Sequence, residues 1–207
     1  MGNKKKIQKF LNCENFQVRS KCGISLVQAK LKIINAELTM ELGRTVILST
    51  CYRLKSYSSV MQKMQRKGLE DDVEVMQDQV NDLVGIRAVC AYTDDVYQIA
   101  ELLSVQKDVK LIQTKDYIKE PKSSGYRSLH LIVEVPICLG EKTQWVKMEV
   151  QIRTAAMDYW AELDYQLQYK KSKKKARLIG EELKEFAAVI EEMDQKVLEL
   201  RKRIEKL

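Results

Sequence analysis

The period of the apolar positions changes along the chain, and each change marks an element. At Ile24, Val27, Leu31, Ile34 and Leu38 the steps are three and four, which predicts an amphipathic helix over 24–38 ended by Gly43. A second helix is expected over 49–66, stopping near Gly68, and a short acidic helix over 70–80. Residues 81–92, NDLVGIRAVCAY, are rich in Val and Ile and suit a central strand. Residues 93–104 read as a helix capped by Thr93 or Asp94, with Val96, Ile99, Ala100 and Leu103 inward, and 109–114 as a short strand.

Two runs, 128–135 and 145–153, alternate with period two. In the first, Ser128, His130, Ile132 and Glu134 share one face, and Leu129, Leu131, Val133 and Val135 the other. In the second, Glu149, Gln151 and Arg153 oppose Val150 and Ile152. A connection at Leu139, Gly140 and Glu141 would close an antiparallel hairpin with His130 opposite Gln151 and Ser128 opposite Arg153. One face then carries Ser128, His130, Glu149, Gln151 and Arg153, too polar for a core and too ordered for a loop, hence a candidate site. Thr154 is a good N-cap for a helix to about residue 170, with Met157, Trp160, Ala161, Leu163 and Leu167 inward. Asp158, Glu162, Tyr165 and Tyr169 form its opposite stripe, and Asp158, on the first turn, should lie beside the polar strand face.

After a basic connector, KKSKKKAR at 170–177, a heptad seam runs through Leu183, Phe186, Ile190, Met193, Val197, Leu200, Ile204 and Leu207. A seam of that length needs a partner, either the helix at 24–38 or a second copy, and both are expected. Strands separated by helices, together with the hairpin, predict an α+β fold: a mixed β-sheet with packed helices, flanked by N- and C-terminal helices.

Composition narrows the class. The 207 residues are 45% hydrophobic and 31% charged, with no apolar run near the roughly 20 residues that span a bilayer, so a cytoplasmic protein is expected. The start, MGNKKK, departs from a myristoylation leader at Lys6 and reads as a solvated basic segment. Five cysteines without a C-x-x-C pair, and His130 as the single histidine, leave no zinc pattern; reduced thiols are expected. The net charge of +7 implies an anionic partner, which could be nucleotide phosphates, RNA or an acidic membrane surface.

The chain has neither G-x-x-x-x-G-K-[ST] nor G-x-G-x-x-G, so side chains must hold any phosphates. Arg53, Lys55, Lys63, Arg87, Lys115, Lys122 and Arg153 are the supply. Lys55, Ser59 and Lys63 are four apart, and on a helix they would form one stripe, either a phosphate grip or a solvated face. Asp82 and Glu149 suit magnesium, which favours one or two carboxylates plus phosphate oxygens. Strict alternation puts Asp82 and Arg87 on opposite faces unless Asp82 precedes the strand. Tyr126, in the SSGYRS turn, can stack on a flat base or cap the sheet.

The segments NDLVGIR at 81–87, DYI at 116–118, PKSSGYRSLH at 121–130 and EVQIRTAAMDYWAELDYQLQYK at 149–170 resemble, in order, the synthetase domain of the RelA/SpoT family. The resemblance covers roughly residues 48–171, leaving an N-terminal helical segment at 1–47 and a connector with the heptad helix at 172–207. Such a chain has no room for the histidine-rich hydrolase domain and resembles the small stand-alone alarmone synthetases. The resemblance implies transfer of pyrophosphate from ATP to the ribose 3′-hydroxyl of GDP or GTP, releasing AMP and giving ppGpp or pppGpp, in the stringent response. It implies that Arg53 and Arg87 sandwich adenine, that Lys55, Ser59 and Lys63 bind ATP phosphates, and that Asp82 and Glu149 are catalytic and hold Mg2+. It further implies that Tyr126 stacks on guanine, that Lys115, Lys122 and His130 meet the guanine nucleotide's phosphates, that Gln151 and Arg153 support the site, and that Asp158 reads the guanine edge. A homo-oligomer, in particular a tetramer, is also implied. Tyr165 stands where many relatives carry His, so no proton role transfers there. Two other readings are a toxin-like pyrophosphokinase acting on the tRNA 3′ end, which the basic connector would suit, and a non-catalytic RNA-binding regulator. The presence of both Asp82 and Glu149 counts against the regulator.

Overall fold

The computed structural model describes residues 2–168 and 173–207. In chain order the elements are α1 (Asn3–Asn12), α2 (Glu14–Leu42), β1 (Ile47–Leu54), α3 (Tyr57–Arg66), α4 (Val73–Gln79) and β2 (Val84–Cys90). They continue as α5 (Thr93–Ser104), β3 (Lys110–Asp116), β4 (Leu129–Leu139), β5 (Lys142–Thr154), α6 (Ala155–Gln168) and α7 (Lys173–Ile204). The five strands form one sheet in the order β1-β2-β5-β4-β3, in which only the β2–β5 pair is parallel. The expected α+β class with a mixed sheet is therefore observed.

The two faces of the sheet follow from alternation. Leu129, Leu131 and Val133 of β4, Met148, Val150 and Ile152 of β5, and Val84, Ile86 and Ala88 of β2 point to one side and are buried. That side is covered by α2, through Val27, Leu31, Ile34 and Leu38, and by α5, through Val96, Ile99 and Leu103. Gly43 ends α2 with φ 65°, and its N–H donates to Thr39 O. The β4–β5 hairpin turns through Gly140, at φ 66°, and pairs His130 with Gln151 as alternation requires.

Four expectations are corrected. The helix expected over 24–38 begins at Glu14; ahead of it Lys4, Lys5 and Lys6 are exposed, as expected of the basic start, on a helix, α1, whose Ile7 and Leu11 are buried against Val60, Met64 and Met76. The helix expected over 49–66 is two elements, because pairing with β2 draws Ile47–Leu54 into an edge strand. Most of β1 is exposed on both sides, so it lacks the alternation that marks a strand, and α3 starts only after Ser56, whose Oγ accepts from Ser59 N–H. At α5 the N-cap is Tyr92, with no side-chain cap. Asp95 is instead bound to Arg44 at 2.7 and 2.9 Å and Asp94 to Arg201, and Arg44 and Arg201 both lie over the Tyr92 ring.

The fourth concerns the seam. Thr154 Oγ1 accepts from Met157 N–H, as an N-cap should, and donates to Asp194 of α7. Met157 and Trp160 are buried but Leu167 is 42% exposed, because α6 packs on α7 through its earlier turns. The seam's intrachain partner is α6, at Leu183, Ala187 and Ile190; the stripe of α2 is committed to the sheet. Met193, Val197, Leu200 and Ile204 stay 42–60% exposed. Tyr169 and the start of the basic connector, 170–172, lie outside the described residues. Among the described residues no helix is long and apolar enough to cross a membrane, and all five cysteines are free.

Leu131 lies at the centre of the sheet's covered face. Leu131→Ala should lower the unfolding free energy in urea by about 2–5 kcal/mol; a loss under about 1 kcal/mol would contradict this packing.

Candidate active site

The polar sheet face is a lattice of cross-strand rows. One row runs Cys51, Arg87, Gln151, His130, Lys115 across all five strands, and the row beside it holds Arg53, Gly85, Glu149 and Ile132. Residues scattered through the chain thus share one face because each strand contributes its outward parity. Asp82 resolves the parity conflict with Arg87 by preceding β2, in the turn after α4.

Around Asp82 three cations gather. Lys55 Nζ lies 2.7 Å from Oδ2, Lys63 Nζ 2.8 Å from Oδ1 and Arg53 4.0 Å from Oδ2. Lys55 arrives from the end of β1, where its N–H donates to Leu83 O, and Lys63 from the last turn of α3. The single helical stripe expected for Lys55, Ser59 and Lys63 is therefore not a helix face, although strand and helix still bring the two lysines together. Ser59, in the first turn of α3, accepts from Ser56 Oγ. Burial pushes the Asp82 carboxyl up, but the hydrogen bonds from Lys55 and Lys63 outweigh it and bring the pKa to about 2.

The second cluster is a directed chain of hydrogen bonds ending on Glu149. Arg153 donates to the Tyr126 hydroxyl at 2.6 Å, and that hydroxyl lies 2.9 Å from His130 Nε2. His130 Nδ1 lies 3.3 Å from Glu149 Oε1, while Gln151 donates to Glu149 Oε2 at 2.6 Å and accepts from Arg153 at 2.7 Å. Because a carboxylate only accepts, Nδ1 must carry the imidazole proton and Nε2 accepts from Tyr126. Burial lowers the His130 pKa, against the opposing pull of Glu149, which keeps the ring neutral near pH 7. Burial also drives Glu149 upward, yet the bonds from His130 and Gln151 hold it below the usual carboxylate range, with Asp82 adding a repulsion felt across the face.

Asp158 joins Arg87 to the second cluster: its Oδ1 takes Arg87 at 2.8 Å and Arg153 at 3.0 Å. Arg87 also donates to Cys51 Sγ. Tyr126 sits in a turn closed by Gly125, with Lys122 Nζ 4.5 Å from its ring centre and 4.6 Å from that of Tyr117. The surface a base would stack on is thus covered by an ammonium. Lys115 stands opposite His130 on β3, and Tyr165 is a largely exposed residue of α6.

All thirteen sequence-selected site residues lie on this face or its rim except Ser59, which starts α3 beside it. Sequence reading missed Tyr117, packed edge-on to His130 and Tyr126; Arg127, which reaches Glu191; and Cys51 beside Arg87. Arg127 had a signal in its place next to Tyr126, whereas Glu191 looks like any solvated heptad residue. No group of three or more His, Cys, Asp or Glu suited to a metal converges among the described residues. Two ionised carboxylates are the hard oxygen ligands that Mg2+ accepts when phosphates complete its shell.

A sheet face bearing ionised carboxylates, converging lysines and arginines, and a tyrosine under a lysine defines a protein suited to binding phosphate-rich ligands that carry a flat ring. The family model for the region found in RelA/SpoT proteins matches residues 52–174. The GTP pyrophosphokinase YwaC of Bacillus subtilis is 36% identical over 89% of this chain and 88% of its own, and the GTP pyrophosphokinase YjbM of the same organism 31% identical over 93% and 90%. Among solved structures, small alarmone synthetase 1 of Bacillus subtilis bound to its product pppGpp superposes with a TM-score of 0.81 at 30% identity, covering 93% of this chain and 97% of that one. Small alarmone synthetase 2 of that organism gives 0.78 at 34%, covering 92% and 98%. The chain belongs to the RelA/SpoT family.

A carboxyl whose pKa falls on folding stabilises the fold above its unfolded pKa and loses that contribution as pH falls through the folded value. For Asp82 the window runs from the ordinary carboxyl value of 3.8 down to about 2. Urea-derived stability should therefore drop between about pH 4 and 2, and less steeply in Asp82→Asn. An equal slope in the variant would show that Asp82 is not held ionised.

Proposed function

We propose that the protein is a GTP/GDP 3′-pyrophosphokinase that makes ppGpp or pppGpp in the stringent response, working in the cytoplasm. What supports this reading is a pair of carboxylates held ionised at one sheet face, Asp82 at its rim by Lys55 and Lys63, and Glu149 on β5 beside the Tyr126–His130–Arg153 network. The 3′-oxygen of the acceptor attacks the β-phosphorus of ATP, the bond from that phosphorus to the α-phosphate bridging oxygen breaks, and AMP leaves. Such a transfer asks for in-line positioning and charge neutralisation more than for covalent chemistry.

Asp82 and Glu149 would hold Mg2+, which neutralises charge on the transferring phosphates. Glu149, kept ionised, receives the proton of the acceptor hydroxyl or orients it. Lys55 and Lys63, which pair with Asp82, exchange that partner for ATP phosphates, aided by Ser59 at the start of α3. Arg53 and Arg87 flank the adenine. Tyr126 stacks on guanine once Lys122 leaves its ring for a phosphate, with Lys115 and His130 beside it. Asp158 accepts from the guanine edge, and Gln151 and Arg153 hold the acceptor side in place. Incubation with labelled ATP and either GDP, GTP or tRNA tests the reading: label on the guanine nucleotide supports it, and label on tRNA alone would favour the tRNA 3′-end reading. Salt-dependent RNA binding without AMP release would favour the RNA-binding regulator.

The outward stripe of α7, Met193, Val197, Leu200 and Ile204, supports a homo-oligomer, with a tetramer as the proposed state.

Glu149→Gln should leave nucleotide binding largely intact and reduce AMP release at least about a hundredfold; near-normal turnover would remove Glu149 from the chemistry. Val197→Glu with Leu200→Glu should lower the mass seen by light scattering while the circular dichroism spectrum is retained. An unchanged mass would assign the oligomer to another surface.

A further inference from the structure

Three consecutive residues of the loop at 117–128 are each anchored to the α6–α7 pair. The Cβ position of Gly125, which has φ +91°, lies 2.6 Å from Ala187 Cβ, so only glycine fits where the loop touches α7. Tyr126 packs against Trp160, whose indole N–H donates to Leu183 O. Arg127 donates to Ile118 O, across the loop's own neck, and is ion-paired with Glu191 of α7. The neck is closed by Tyr117 N–H donating to Ser128 O. One guanidinium thus fixes both ends of the loop to one carboxylate on the helix.

We propose that Glu191 is a positioning residue for the acceptor nucleotide, acting through Arg127 to hold the loop that presents Tyr126 and Lys122. This rests on the guanine-nucleotide reading of the site given above. Asp82, Lys55 and Lys63 do not touch Arg127, so the ion pair bears on the acceptor and not on ATP. Because Glu191 belongs to the helix whose outer stripe is open to a second copy, a displacement of α7 is carried to the acceptor loop.

The test compares Glu191→Gln with Glu192→Gln, a control whose side chain pairs with Lys196 on the same helix. In Glu191→Gln, amides of residues 117–128 should exchange with deuterium about tenfold faster in the free protein, and not in the control. In the same variant KM for GDP or GTP should rise about fivefold, with KM for ATP and kcat within about twofold of the parent. Unchanged exchange would overturn the tether. Faster exchange with an unaltered acceptor KM, or with equal rises for both substrates, would overturn the positioning role. If the parent protein transfers nothing to guanine nucleotides, the proposed function and the acceptor role fail together, and exchange alone still decides whether Glu191 holds the loop.

Discussion

Burying two carboxylates on one sheet face is costly, and the site is organised around meeting that cost. Ionised Asp82 and Glu149 are each more than nine-tenths hidden from solvent, in a setting where an unpaired charge would drive protonation. The fold compensates them by different means. Asp82 is met by two ammonium groups, a full reversal of local charge. Glu149 is met by neutral donors, the imidazole and an amide, which satisfy its oxygens without adding a cation. The first arrangement is mobile, since lysines are point charges on flexible stems that phosphates can draw away. The second is fixed by two strands in register and leaves the charge of Glu149 uncancelled, which its proposed role in the transfer requires.

The parallel β2–β5 pair makes this geometry possible. It sets Gly85 against Glu149 and Arg87 against Gln151, so groups from distant parts of the chain lie at sheet spacing. The opposite face of the same strands is closed by α2 and α5, and that core fixes the register: a slip of one residue would turn Met148, Val150 and Ile152 toward the site and Glu149 into the core. Positioning in the site is therefore a consequence of apolar packing on the other side of the sheet.

Much of this was legible because the β4–β5 strands have one buried and one polar face. The alternation through Ser128, His130, Glu149, Gln151 and Arg153 gave the pairing and the shared face directly, whereas the Asp82–Arg87 parity conflict left open whether Asp82 precedes the strand, as it does, or serves another group. Where a segment is stabilised by partners remote in sequence, the pattern misled. The edge strand at Ile47–Leu54 looked helical because neither side of it is covered by a full layer, so its burial pattern carries almost no period. The basic start hides Ile7 and Leu11 among lysines, and only the α3–α4 surface it covers gives those two residues a reason. The ammonium over Tyr126 and the tether from Arg127 to Glu191 depend on side-chain reach between elements, which no periodicity encodes.

The two faces of α7 explain why its apolar repeat is longer than its intrachain contact. Leu183, Ala187 and Ile190 form one short stripe against α6, and Asp194 and Arg201 then continue that side as polar ties, to Thr154 and to Asp94. The apolar repeat runs on past them: Val197 and Ile204 stand seven and fourteen residues after Ile190, close to the same side, and with Met193 and Leu200 on its flank they are left exposed by the chain. Under the proposed function, a helix that holds the loop of Tyr126 near Glu191 and leaves an apolar stripe exposed further along is placed to make assembly and acceptor binding mechanically dependent on each other, because a rigid helix cannot shift at one end without shifting at the other.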